Sequence, residues 1–260
     1  MSEGLARRLG LEIIHHELVE QDIVNRSGLR ESEVRRYLQG SSTFMESWRV
    51  DRKRLSHFTA QEILELAARD NVLIRGWGAT YLLREVPHVV CVRICAPMEL
   101  RTRVLMQRTG IGDPIAAGRE IERSDAAHNG TMQRMFGVDW TDASLYAVTL
   151  NTARVAPEDC VEHIVRLVES PAFRVTTESQ GALMDRLIEV RVQSALRERF
   201  HQGPQAMGIE VVVKDGLVTL NGAVSDDRVM TEIVRAAGTV DGVQRVESRI
   251  RHLSFSRGRE

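Results

Sequence analysis

The chain has 260 residues, 43% apolar and 27% charged, with a formal net charge of −1. This is an ordinary globular composition, and the length suits more than one domain. The near-neutral balance argues against a general binder of nucleic acid or anionic membrane, and no run approaches the ~20 apolar residues of a membrane span.

Residues 1–9 lack the apolar core of a signal peptide. They read as the end of a helix stopped at Gly10. A short strand is expected at 11–14, followed by His15-His16 and helices at 17–26 and 31–38. Residues 44–58 mix aromatic and basic groups, among them Trp48, Arg49, Arg52 and Arg54. That mixture reads as a solvated face or as a ligand contact. Thr59 is expected to cap an amphipathic helix over 60–69, with Ile63, Leu64, Leu66 and Ala67 on its buried side.

Residues 71–97 organise the chain. The runs Val72-Leu73-Ile74 and Val89-Val90-Cys91-Val92 are continuous and apolar, which suits parallel strands buried on both faces. A short helix at 79–84 between them completes a β-α-β unit. Ligands in such sheets sit beyond the carboxyl ends of the strands. Arg75, Gly76 and Gly78 fall at such an end, where an arginine meets an anion and glycines let backbone approach a ligand. A plain strand-end turn is the competing reading.

Pro97 opens a helix carrying Arg101, Arg103 and Arg108. Arg101 and Arg108 lie seven apart and share a face, either binding an anion or forming a solvated face with Glu99 or Glu120. Gly110 and Gly112 end this helix, and Asp113-Pro114 starts another, to about residue 136, with a break near Gly130. Asp125 on it is a candidate functional carboxylate or a partner of Arg119 or Arg123. A loop with Asp139, Trp140 and Asp142, a strand at 146–150 and a helix at 157–170 close an α/β domain over 1–172. Cys91, Cys95 and Cys160 show no metal-ligand spacing, so reduced thiols in a cytoplasmic protein are expected, and no metal.

A linker is expected at 173–181 and a second domain at 182–254. It starts with a helix to about 200. Residues 209–213 and 217–220 flank Asp215-Gly216, a strong hairpin signal. Ser225 and Asp226 cap a helix to 237, and a strand follows at 243–250. The order is α-β-β-α-β, a small α+β unit.

This second stretch resembles the BON domain. The residues that carry the likeness are D-R-L-I-E-V-R-V-Q-S-A-L, then I-E-V-V-V-K-D-G-L-V-T-L-N-G-A-V, then G-V-Q-R-V-E-S-R-I. The resemblance implies binding of lipid, protein or another ligand, with no catalytic residues. The first stretch resembles the cytidylate kinase-like family, a branch of the P-loop nucleoside monophosphate kinases. It does so through A-R-R-L-G-L-E-I-I-H-H-E-L-V, N-V-L-I-R-G-W-G-A, A-P-M-E-L-R-T-R-V and G-V-D-W-T-D-A-S-L-Y-A-V-T-L-N-T. The resemblance implies that Arg101 and Arg108 bind phosphates, that Asp125 assists, and that Arg75 lies in the segment facing the monophosphate.

The departures bear on function. No G-x-x-x-x-G-K-[ST] occurs in the 260 residues, and the reading begins after the family's first strand and its glycine-rich loop. His128 stands where a lid arginine is expected, and His15-His16 where relatives carry D-R. Losing a central strand leaves a gap of roughly 10 Å between its neighbours. Each unpaired buried backbone group then costs about 1–3 kcal/mol. Either a longer protein supplies the strand, or the neighbours close up into one four-stranded sheet. The sequence therefore predicts a parallel-sheet, nucleotide-kinase-like domain truncated at its N-terminus. Its expected role is to bind a nucleotide or other phosphate ligand as a sensor or scaffold. The alternative is an ATP- and magnesium-dependent CMP kinase whose phosphate loop lies upstream. Nucleic acid is not an expected partner.

Overall fold

A computed structural model of the chain describes residues 1–14, 24, 30, 32, 52–76 and 78–253. Two compact units emerge, Met1–Val175 and Thr176–Glu260. Among the described residues, no helix is long and apolar enough to cross a membrane.

The first unit opens with α1 (Ser2–Leu9), whose acidic Glu3 and basic Arg7 and Arg8 match the helix dipole. Gly10 ends it in a left-handed cap, its N–H reaching the Ala6 carbonyl. β1 (Glu12–Ile14) pairs in parallel with β2 (Val72–Ile74), Ile14 opposite Ile74. Between them in sequence, α2 (Arg52–Ala67) extends further back than its pattern suggested. Thr59 is therefore not a cap. It lies fully buried inside the helix, beside Phe58, Ile63, Leu64 and Leu66.

α3 (Ala79–Leu83) follows β2, and Leu82, Leu83 and Val86 are buried behind it. β3 (Val92–Cys95) starts three residues later than the apolar run, because Val89 is still turning, its N–H bonded to the Val86 carbonyl. α4 (Met98–Thr109) buries no residue fully. α5 (Pro114–Phe136) starts at an Asp113 cap that accepts from the Ile115 N–H, and it runs through Gly130 without a break. β4 (Val148–Asn151) pairs in parallel with β3, Val92 opposite Val148 and Cys95 opposite Asn151. α6 (Pro157–Val168) turns Cys160, Val161, Ile164 and Val165 inward, a stripe at helical spacing. Cys160 and Ile164 meet Leu150, with Leu5 of α1, Val92 and Val148 around them.

The two parallel pairs stay apart: no ladder joins β2 to β3 among the described residues. Of the two alternatives, closure of these strands into one four-stranded sheet is thus not what the described residues form. Helices bridge the pairs instead. α1 packs on β1 and on α6, and the Cys91 thiol donates to the Thr80 carbonyl. The strands are also less buried than their apolar runs imply. β2 is half-buried throughout, and Ile94 of β3 is exposed. All three cysteines are free, and burial pushes the Cys91 thiol up to about 11, so it stays protonated and unreactive.

In the second unit, α7 (Thr177–Phe200) starts five residues earlier than its apolar pattern. A reciprocal cap explains this: Thr176 Oγ1 accepts from the Ser179 N–H, and Ser179 Oγ accepts from the Thr176 N–H. β5 (Ile209–Lys214) and β6 (Leu217–Val224) form the expected antiparallel hairpin. Asp215 and Gly216 both have positive φ, 50° and 73°, as a tight hairpin turn demands. β7 (Arg245–His252) follows α8 (Asp227–Gly238) and pairs in parallel with β6. Ile188, Val192 and Leu196 of α7 and Ile233 and Ala237 of α8 cover one face of this sheet.

Asp185 locks helix to hairpin, a tie that no local pattern announces. Its carboxylate accepts from the N–H groups of Asp215 (2.8 Å) and Gly216 (2.9 Å). Asp185→Ala removes the acceptor for two turn amides and is expected to destabilise this unit by about 1–3 kcal/mol. Chemical denaturation followed by amide exchange in β5 and β6 measures it; an unchanged midpoint would remove the tie from the account.

Candidate functional site

The candidate site is built on α5. In its middle, Asp125 meets Arg101 of α4 across the helix pair. The two terminal guanidinium nitrogens each donate to a separate carboxylate oxygen, both at 2.6 Å. This is a planar two-point pairing, and the bond to Asp125 holds the guanidinium even more firmly protonated than usual. Arg101 thus pairs with neither Glu99 nor Glu120, and Asp125 with neither Arg119 nor Arg123. Glu120 is instead the partner of Arg123. Arg108, about 10 Å further along α4, is exposed and lies apart from this pair.

One turn beyond Asp125, His128 sets its ring against Trp140 in an edge-on contact, centroids 4.6 Å apart. Burial pulls the His128 imidazole below its ordinary pKa, and the Asp125 carboxylate opposes this more weakly. Trp140 is gripped from two further sides. The Arg93 guanidinium lies over its ring at 5.1 Å and donates to the Thr141 carbonyl at 2.9 Å. The Tyr146 hydroxyl donates to the Trp140 carbonyl at 2.7 Å. In the same loop, Asp139 accepts from the Thr141 N–H and hydroxyl, which lowers its pKa. His128 is therefore a packing group against this loop.

The C-terminal end of α5 reaches a different place. Phe136 lies about 16 Å along the helix from Asp125. Its ring sits over Gly78, where a Cβ would come within 2.2 Å of it, and 5.0 Å from the Tyr81 ring. The Arg84 guanidinium covers the other aromatic, Tyr81, at 4.6 Å. Gly78 is buried, whereas Arg75 and Gly76 are exposed at the end of β2. The absent side chain at Gly78 thus makes room for Phe136. Of the predicted residues, Arg101 and Asp125 come together, and Arg75, Gly76 and Gly78 form a second group at the other end of α5. His15, His16, Trp48 and Arg49 lie outside the described residues, as do the side chains of Arg52 and Arg54.

Arg93, Trp140, Tyr146 and Phe136 were not singled out from sequence. One signal was present: Arg93 is a lone charge inside an apolar strand. Among the described residues, no cluster of three His, Cys, Asp or Glu side chains offers itself to a metal.

Parallel strands connected through helices, with an arginine-bearing helix pair after β3, make the first unit an α/β domain. Its residues 1–154 match the profile of the cytidylate kinase-like family, and residues 185–252 match that of the BON domain. The chain belongs to the cytidylate kinase-like family and carries a BON domain after it. The first unit is similar to the cytidylate kinase of Aeropyrum pernix, 26% identical over 158 residues, or 61% of this chain and 84% of that one. The cytidylate kinase of Pyrococcus horikoshii is 23% identical over 158 residues, 61% of this chain and 75% of its own. A solved structure of an uncharacterized protein from Eubacterium ventriosum aligns with a TM-score of 0.48 at 15% identity, covering 64% of this chain and 88% of that one.

Proposed function

We propose that the first unit binds a nucleoside monophosphate or a comparable phosphate ligand through Arg101. In this reading these 260 residues perform little phosphoryl transfer by themselves, and the protein acts as a cytoplasmic sensor or scaffold. The observation that carries the reading is the two-point guanidinium fork, already held planar against two oxygens 2.6 Å away. Arg75 and Arg108 are proposed as further phosphate contacts, with Gly76 and Gly78 shaping the turn beside Arg75. The G-x-x-x-x-G-K-[ST] loop that would cradle the phosphates of ATP and help hold magnesium is not among these 260 residues. The BON domain is proposed as the ligand- or lipid-binding module, tested by co-sedimentation of the full chain with anionic vesicles.

Titration calorimetry with CMP is expected to give saturable heat. Arg101→Gln should weaken it ~10- to 100-fold, the size of a lost charge-assisted bidentate contact. Saturable ATP turnover by this same chain would overturn the non-catalytic part.

A second reading has its own observation. β1–β2 and β3–β4 remain separate pairs, which favours a further strand and phosphate loop between them. A longer chain carrying both would transfer the γ-phosphoryl of ATP to a pyrimidine monophosphate. An in-frame glycine-rich loop upstream of the Met1 codon, followed by activity of the extended chain, distinguishes it.

A further inference from the structure

Asp125 takes up the end-on edge of Arg101, one N–H from each terminal nitrogen. A phosphoryl group seated two-point on that edge would use the same two nitrogens, with a like pair of oxygens. A phosphate and the Asp125 carboxylate cannot both hold that edge, because like charges would meet over one guanidinium. The pair is open to solvent, with side-chain exposures of 35% for Arg101 and 33% for Asp125. A dissolved anion therefore reaches it without unfolding the domain.

The surrounding helices differ in how firmly they are held. α5 is anchored by buried Ala117, Ile121 and Met132, while α4 buries no residue fully. The two are joined through Gly110, left-handed at φ 74°, and Gly112, with no atom within 4 Å of either missing Cβ. At 1.5 Å per residue, the pair lies about 14 Å up α4 from that joint and about 18 Å along α5. A small tilt of α4 at the glycines is thus enough to separate the two side chains.

We infer that Asp125 is an internal competitor for the oxyanion site on Arg101: it occupies the end-on edge of the guanidinium, and a phosphoryl anion takes that edge by displacing it and loosening α4 from α5. This rests on the ligand-binding reading above and reverses the role that the family resemblance suggested for Asp125. A carboxylate that assists the ligand tightens binding by its presence. A carboxylate that must leave weakens it, since the apparent affinity falls by the fraction of open molecules.

The test uses the full 260-residue chain at low salt, with CMP and, separately, inorganic phosphate as probes. Wild type, Asp125→Asn and Arg101→Gln are compared by calorimetry, with thermal melts as the folding control. Asp125→Asn is expected to bind both probes about fivefold more tightly, and Arg101→Gln ~10- to 100-fold more weakly. Equal or weaker binding by a folded Asp125→Asn, with wild type still binding, overturns the competitor role and leaves the ligand reading standing. No binding of either probe by any of the three overturns both. Should the asparagine variant not fold, Asp125→Ser carries the same comparison.

Discussion

Gly78→Val is expected to lower the melting temperature of the first unit by about 10 °C. Two costs add. Gly78 sits at φ 70°, a conformation that costs an L-residue about 1–2 kcal/mol and a β-branched one more. Its Cβ would also fall inside the Phe136 ring, and overpacking of this kind costs about 1–3 kcal/mol. Together they reach roughly 3–5 kcal/mol, at about 2–4 °C per kcal/mol for a unit of this size. The effect reaches the site, since Phe136 ends the helix that carries Asp125. Scanning calorimetry reads the shift. A double-mutant cycle supplies the control: Phe136→Ala should cost less in a Gly78→Ala background than in wild type. A melt within two degrees of wild type for Gly78→Val would mean that the ring moves aside at little cost.

Leu220→Ala is expected to have a comparable effect on the second unit. Leu220 is wholly inaccessible, on the middle strand β6, beneath both helices. Truncating a buried leucine costs about 2–5 kcal/mol, through lost transfer energy and the cavity left behind. In a small domain that is a large part of the total stability. All three tryptophans (Trp48, Trp77 and Trp140) and all three tyrosines (Tyr37, Tyr81 and Tyr146) belong to the first unit. Hydrogen exchange in β5, β6 and β7 should therefore report the loss, while the near-ultraviolet signal of Trp140 stays as in wild type. Unchanged exchange in β6 would show that the sheet does not depend on this layer.

The features that were legible in the sequence are those settled within a few residues. Asp215-Gly216 forces a turn wherever it sits between two β-rich runs, and the hairpin forms there. Asp113-Pro114 caps and starts a helix by its own chemistry, and it does so. Boundaries failed where a distant partner decided them. The run Val89–Val92 is apolar from end to end, and only the register with Val148–Asn151 fixes where pairing begins. Thr59 has a capping side chain, yet tertiary burial carries the helix through it. The site was legible as types of residue but not as partners. Arg101 and Asp125 lie 24 positions apart, so spacing named each of them without saying that one occupies the other. Trp140 draws its neighbours from β3, α5 and its own loop, an arrangement that periodicity does not encode.

One consequence follows from α4, the helix with no fully buried side chain. Segments held by few internal contacts open to solvent at a cost well below that of the whole domain. Arg103 and Arg108 are exposed on this helix. Trypsin, which cuts after arginine, is therefore expected to nick the first unit at this helix. Resistance to that nick on adding CMP is a gel-based gauge of whether the helix pair has been braced or set loose.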